Sequence, residues 1–202
     1  MTTEIQTGLP GFDRRMTKEE INEVPVKKWS GEIQLITAEK DVELAARAIA
    51  QERVVGFDTE TRPAFKKGQK FLPTLLQLAT SECVYLFQLN RVGLPEPLLA
   101  ILSNPETIKA GVSLAYDIKE LQQLARFSPT GFVDLGTLAK KKGIKNHGLR
   151  GLAAVILGIR ITKSAQTSNW ANDTLTRAQI SYAATDAWIG RELYMRLSKQ
   201  EH

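Results

Sequence analysis

Four carboxylates and one phenol stand out by type and spacing. Asp58 and Glu60 close the β-branched run "RVVGFDTET". Strand side chains alternate in direction, so these two point to one face. Asp117 falls early in the helical pattern "LAYDIKELQQLARF". Asp186 lies inside the last helical pattern, in "YAATDAWIG", where almost no other charge occurs for two turns. Tyr182 precedes it by four residues and shares its helix face. A carboxylate on such a face is buried or in a cleft, where it must be protonated, paired or bound to metal. No base close in sequence can pair with it. If the four acids converge, hard divalent cations relieve their repulsion, and oxygen-only ligands suit Mg²⁺ or Mn²⁺. Two such ions about 3.5–4 Å apart form a clamp for in-line phosphodiester displacement. Each feature also has a plain structural reading: a solvated strand end, a helix N-terminal charge, a packed aromatic beside a surface acid. The chemistry depends on their convergence.

The elements that must position these residues are legible from periodicity. "EIQLI" reads as a strand and "EKDVELAARAIAQE" as an amphipathic helix with Val42, Ala45, Ala46 and Ile49 on one face. "RVVGFDTET", "TLLQLAT" and "CVYLFQL" read as strands, the last two joined by a short "SE" hairpin. A helix near residues 96–102, a turn at "SNPE", a short strand "TIKAGV", the helix bearing Asp117 and a strand "GFVDL" follow. The remainder is expected to be mainly helical, and its last helix starts at a Thr176/Gln179 capping box. Residues 1–30, with Gly8, Pro10, Gly11 and Pro25, read as an N-terminal arm holding one short helix behind a Thr17/Glu20 capping box. Residues 31–202 are expected to form one α/β domain, and the hairpin requires a mixed central β-sheet flanked by helices.

With these residues in view, the chain resembles the DEDD-type 3′-5′ exonucleases, in their tyrosine-bearing (DEDDy) branch, over roughly residues 33–197. "VVGFDTETRP" looks like the first exonuclease motif, "KAGVSLAYDIKEL" like the second and "TSNWANDTLTRAQISYAATDAWIGRELY" like the third. The third string is most similar to the Werner-syndrome-type exonuclease domain and to ribonuclease D. The sister branch carries a histidine five residues before the last aspartate; Ser181 stands there, and Tyr182 marks the tyrosine branch. Thr174 replaces a common proline, and Trp188 stands where tyrosine is frequent. The resemblance implies a ribonuclease H-like fold and hydrolysis of the terminal phosphodiester of DNA or RNA with a free 3′ end. It implies two divalent cations, Mg²⁺ or Mn²⁺, held by Asp58, Glu60, Asp117 and Asp186, with Asp58 bridging both. Tyr182 would orient the attacking water and help remove its proton, although a phenol with an ordinary pKa near 10 is a poor base by itself, and nucleoside 5′-monophosphates would be released. The extra helical domains of ribonuclease D are not expected here, which argues against a role specific to that enzyme.

Substrate binding is expected to use backbone electrostatics. The candidates are Lys66, Lys67 and Lys70 after the first motif, and Lys140, Lys141, Lys142 and Lys145 later, with Arg150 and Lys163 as weaker ones. Phe65 and Phe71 flank the first cluster and could stack on bases or simply pack in the loop. Trp170 reads as structural, and His147 as a cap or surface residue.

Composition bounds the alternatives. Hydrophobic residues make up 43% and charged residues 24% of 202, as in an ordinary globular domain. No apolar run nears the roughly 18 residues of a membrane span. The first twenty residues lack a signal-peptide core, so a cytoplasmic location is expected. Cys83 is the only cysteine and reads as a small buried hydrophobe; with His147 and His202 the only histidines, a Cys/His zinc site is excluded. The net charge of +5 suits a polyanionic partner without demanding one. A non-catalytic nucleic-acid-binding module would be expected to lack one or more of the four acids, and all are present. A phosphoesterase acting on small nucleotides would need few of the lysines.

Overall fold

The structure, a computed structural model, describes residues 11–64, 66 and 68–199. Gly8, Pro10, Phe65, Lys67 and His202 lie outside the described residues.

The strands are Glu32–Ile36 (β1), Val54–Thr61 (β2), Pro73–Ala79 (β3), Cys83–Gln88 (β4), Ile108–Gly111 (β5) and Phe132–Asp134 (β6). The helices are Lys18–Glu23 (α1), Glu39–Ile49 (α2), Leu89–Val92 (α3), Glu96–Ser103 (α4), Leu114–Leu124 (α5), Leu135–Lys141 (α6), Leu149–Leu152 (α7) and Arg177–Ser198 (α8). The sheet runs in the order β1-β4-β3-β2-β5-β6, with β3 antiparallel to both neighbours and the other pairs parallel. Both expected capping boxes form, at Thr17/Glu20 and at Thr176/Gln179. The "SE" hairpin closes through Thr80 N–H donating to the Cys83 carbonyl at 2.9 Å.

Alternation sorts each strand between two apolar layers. Val55, Phe57, Leu76, Leu78, Tyr85 and Phe87 meet α2, α4 and α5 on one face. Leu75, Ala79, Val84 and Leu86 meet Ala183, Ala184 and Ala187 of α8 on the other. Burial on both faces explains why these strands are nearly continuous in apolar residues. Cys83 is buried, as its setting suggested.

α8 lies unusually close to the sheet. A methyl group at Gly56 would sit 1.8 Å from the Ala187 carbonyl oxygen, and one at Gly190 would sit 2.7 Å from that of Ala110. Glycine at both positions therefore lets helix backbone rest directly on strand backbone.

One feature differs from expectation. The second half is helical only in part, because Gly158 at φ 64° ends a π-turn over Ala153–Leu157 and residues 158–176 form no helix. That stretch is held by the buried Trp170 and by Gln179 Nε2, which donates to Ser168 Oγ and the Asn169 carbonyl. The described part of the N-terminal segment is tied to this second half. Val26 bridges Arg160, Asn146 Oδ1 accepts from Met16 N–H, and Gly11 packs against Val155.

Candidate active site

Asp58 and Glu60 project from the central strand β2 towards α8, since Phe57 and Thr59 alternate to the other face. α8 brings Asp186 onto them. One carboxylate oxygen from each of Asp58, Glu60 and Asp186 lies within 4.8 Å of the others. The close seat of α8 on Gly56, one residue from Asp186 through Ala187, produces this approach.

Asp117 arrives from the opposite layer, in the first turn of α5. The turn into α5 places Ser113 at φ 63°, and Asp134 holds it by accepting from Leu114 N–H at 3.2 Å. Asp117 stands outside the group of three but is joined to it by Thr59. The Thr59 hydroxyl donates to Asp117 Oδ1 at 2.8 Å, and the Thr59 amide donates to Asp58 Oδ1 at 2.9 Å. Thr59 was not singled out from sequence. The signal was available: the middle residue of Asp-x-Glu must face the layer that carries α5.

The electrostatics are those of crowded acids. Burial, then the charges of Asp186 and Asp117, hold the Asp58 carboxyl well above the ordinary range. Burial, then Asp58, Asp186 and Asp117, push Glu60 up to about 10. Burial raises Asp186 to about 7 against the opposing pull of the Tyr182 hydroxyl. Burial also raises Asp117, while its Thr59 bond lowers it. Tyr182 is raised by burial and then by the Asp186 charge, so its phenol keeps its proton.

The hollow over these acids has a volume of about 220 Å³, and among the described residues no lysine, arginine or histidine lines it. Asp186 Oδ1 is buried there without a hydrogen-bond partner. An orphaned carboxylate oxygen, surplus negative charge and donors that are all oxygen fit a hard divalent cation.

A pH consequence follows when metal is chelated. Asp186 moves from 3.8 to about 7 on folding, so the folded state binds more protons than the unfolded chain. Its contribution is fully present below about pH 3.8 and is lost as pH rises to about 7. At about 1.4 kcal/mol per unit this is of order 4 kcal/mol. Thermal melts in EDTA should therefore fall from pH 5 to pH 8, and Mg²⁺ should suppress the fall. The same pH dependence with and without Mg²⁺ would contradict a cation site here.

The remaining sequence candidates fall as follows. Trp170 packs at 6.0 Å from Tyr182, in a structural role. His147 Nε2 lies 2.9 Å from the Ile144 carbonyl oxygen, which is also structural. Arg150 and Lys163 line a second hollow of about 210 Å³ that shares Leu149, Gln166, Tyr182 and Asp186 with the first. Lys66, Lys70, Lys140, Lys141 and Lys145 are exposed and Lys142 is half-buried. None of these six lines a hollow bordering Asp186. Phe71 lies 4.7 Å beneath the Arg62 guanidinium. The basic residues that sequence reasoning missed are Lys27, Lys28 and Arg177, which line a third hollow beside Tyr182 and Asp186. Lys27 and Lys28 are adjacent, but Arg177 lies about 150 residues further on, so the chain order does not show that the three meet.

A mixed sheet with acids gathered on its central strand is the arrangement of ribonuclease H-like nucleases. The model of the 3′-5′ exonuclease family matches residues 33–201, and the chain belongs to that family. It is 37% identical, over 71% of its length, to the bifunctional 3′-5′ exonuclease/ATP-dependent helicase WRN of Mus musculus. It is 31% identical, over 74% of its length, to ribonuclease D of Haemophilus influenzae. The chain spans only 11% and 37% of the lengths of these two relatives. Among solved structures, the EXO domain of Aedes aegypti Nibbler superposes with a TM-score of 0.76 at 23% identity, covering 87% of this chain and 92% of that one. Ribonuclease D of Escherichia coli superposes at 0.73 and 22% identity, covering 83% and 46%. These two share the fold. Among the described residues no helix is long and apolar enough to cross a membrane.

Proposed function

We propose that the chain is a metal-dependent 3′-5′ exonuclease of the DEDDy type. Its substrate would be DNA or RNA with a free 3′ end, hydrolysed at the terminal phosphodiester to nucleoside 5′-monophosphates. The observation that carries this reading is the approach of Asp58, Glu60 and Asp186 to within 4.8 Å, with Tyr182 on the same helix face as Asp186.

Asp58, Glu60, Asp117 and Asp186 would hold two ions, Mg²⁺ or Mn²⁺. When bound, such ions lower the pKa of water and offset the charge that develops in an in-line displacement. The protein's own groups supply position. Thr59 orients Asp117 and Asp58 through its hydroxyl and its amide. Tyr182, whose phenol pKa is raised by burial and by Asp186, would orient the attacking water by hydrogen bonding. Val112 and Leu149 give the hollow an apolar lining that would limit bulk water around the reacting phosphate.

A 5′-labelled oligonucleotide incubated with Mg²⁺ or Mn²⁺ tests the reading. A ladder shortening from the 3′ end and stopped by EDTA is expected. Intact strands across single-stranded, recessed-end, DNA and RNA substrates would reject it. Tyr182→Phe should slow shortening about 10- to 100-fold, the range typical when a supporting hydrogen bond at a metal site is lost. A wild-type rate in that variant would remove Tyr182 from the chemistry.

A further inference from the structure

The third hollow, about 520 Å³, is larger than the one over the acids and shares Tyr182 and Asp186 with it. One wall is the N-terminal segment, contributing Val26, Lys27 and Lys28. The other is the start of α8, contributing Arg177, Ala178 and Ser181. Thr162 and Ser164 add hydroxyls. Among the described residues its only carboxylate is Asp186, which belongs to the acid cluster.

The lysines are exposed, yet the backbone that carries them is fixed from two sides. Lys27 N–H donates to the Arg160 carbonyl at 2.9 Å, and Arg160 N–H returns to the Pro25 carbonyl at 2.9 Å. Trp29 N–H donates to Thr185 Oγ1 of α8 at 3.1 Å, and the Trp29 ring lies 5.7 Å from that of Trp188. The segment is thus clamped between residues 158–176 and α8. Among the described residues, Lys27, Lys28 and Arg177 form no salt bridge with an acid of the chain. Three cations across a groove, none of them in a salt bridge, suit a ligand with repeating anions. Tyr182 is the only aromatic lining residue among those described. Contact with phosphates is therefore favoured over stacking of bases, and discrimination by sequence should be weak.

We propose that the strand whose 3′ end enters the acid site runs back through this cleft, with Lys27, Lys28 and Arg177 on its phosphates. This rests on the nuclease reading above and adds the path of the substrate. The test is fluorescence anisotropy of a labelled single-stranded oligonucleotide in EDTA, titrated at several salt concentrations. Lys27→Gln/Lys28→Gln should weaken binding roughly tenfold and reduce the log–log salt slope by about 1.4, the value for two phosphate contacts on a single strand. Lys27→Arg/Lys28→Arg should bind like the wild type, which separates lost charge from lost folding. The charge-matched Lys40→Gln/Arg47→Gln on α2, against the opposite face of the sheet, should leave affinity unchanged. Equal weakening by both glutamine pairs, or wild-type binding by the Lys27/Lys28 pair, would overturn the proposal. If the wild type shortens strands while the Lys27/Lys28 pair binds normally, the strand path is wrong and the nuclease reading stands. If the pair weakens binding in a protein that shortens nothing, the cleft stands and the nuclease reading falls.

Discussion

Asp58→Asn should lower the rate of 3′ shortening by more than about 100-fold, beyond the 10- to 100-fold typical of losing only a ligand's supporting partner. The same variant should melt higher than the wild type in EDTA. Asp58 is held above its ordinary pKa by burial and by two neighbouring acids, so its charge costs folding energy. Asparagine keeps the shape and can still accept from Thr59 N–H. Each kcal/mol relieved should raise the melting temperature by about 2–4 °C in a chain of this size. Added Mg²⁺ should stabilise the wild type more than the variant, because the variant has lost a ligand. Opposite movements of stability and activity separate this site from a structural ion network. A variant that is both less stable and inactive would have lost its fold rather than its chemistry.

The chemistry was legible because local rules determine it. Asp58 and Glu60 share a face through strand alternation, and Tyr182 and Asp186 share one through helix periodicity. The apolar runs around them located the strands, and the three motifs located the family. What was not legible is non-local. Thr59 acts through α5, and Lys27 is bonded to Arg160 in a region without regular periodicity. Runs of lysine near 66–70 and 140–145 are conspicuous in sequence, whereas Lys27 and Lys28 meet Arg177 beside Asp186 only through the fold. The Gly56 contact was hidden for the same reason. A glycine in a strand signals close approach of something, but only the fold shows that it is the Ala187 carbonyl.

Gly56→Ala should accordingly be among the most damaging single substitutions. The new methyl would meet backbone, 1.8 Å from the Ala187 oxygen, and no side-chain rotation can relieve that. α8 must move off β2, disturbing the layer of Ala183, Ala184 and Ala187. Overpacking of this kind costs about 3 kcal/mol or more when backbone is displaced. A fall in melting temperature of roughly 6–12 °C is expected. Asp186 adjoins Ala187, so displacement of the helix also separates the acids. A shift of about 1 Å in a reacting group can lower the rate about 100-fold. Retention of wild-type stability and rate in Gly56→Ala would mean that the seat of α8 does not set the site.

The most direct measurement is anomalous diffraction from crystals of the wild-type protein grown with Mn²⁺. Anomalous peaks about 2.0–2.3 Å from carboxylate oxygens of Asp58, Glu60, Asp117 and Asp186 are expected, and they should vanish in Asp58→Asn. Crystals of a protein that shortens strands with Mn²⁺, yet shows no peak among these acids, would contradict the central claim.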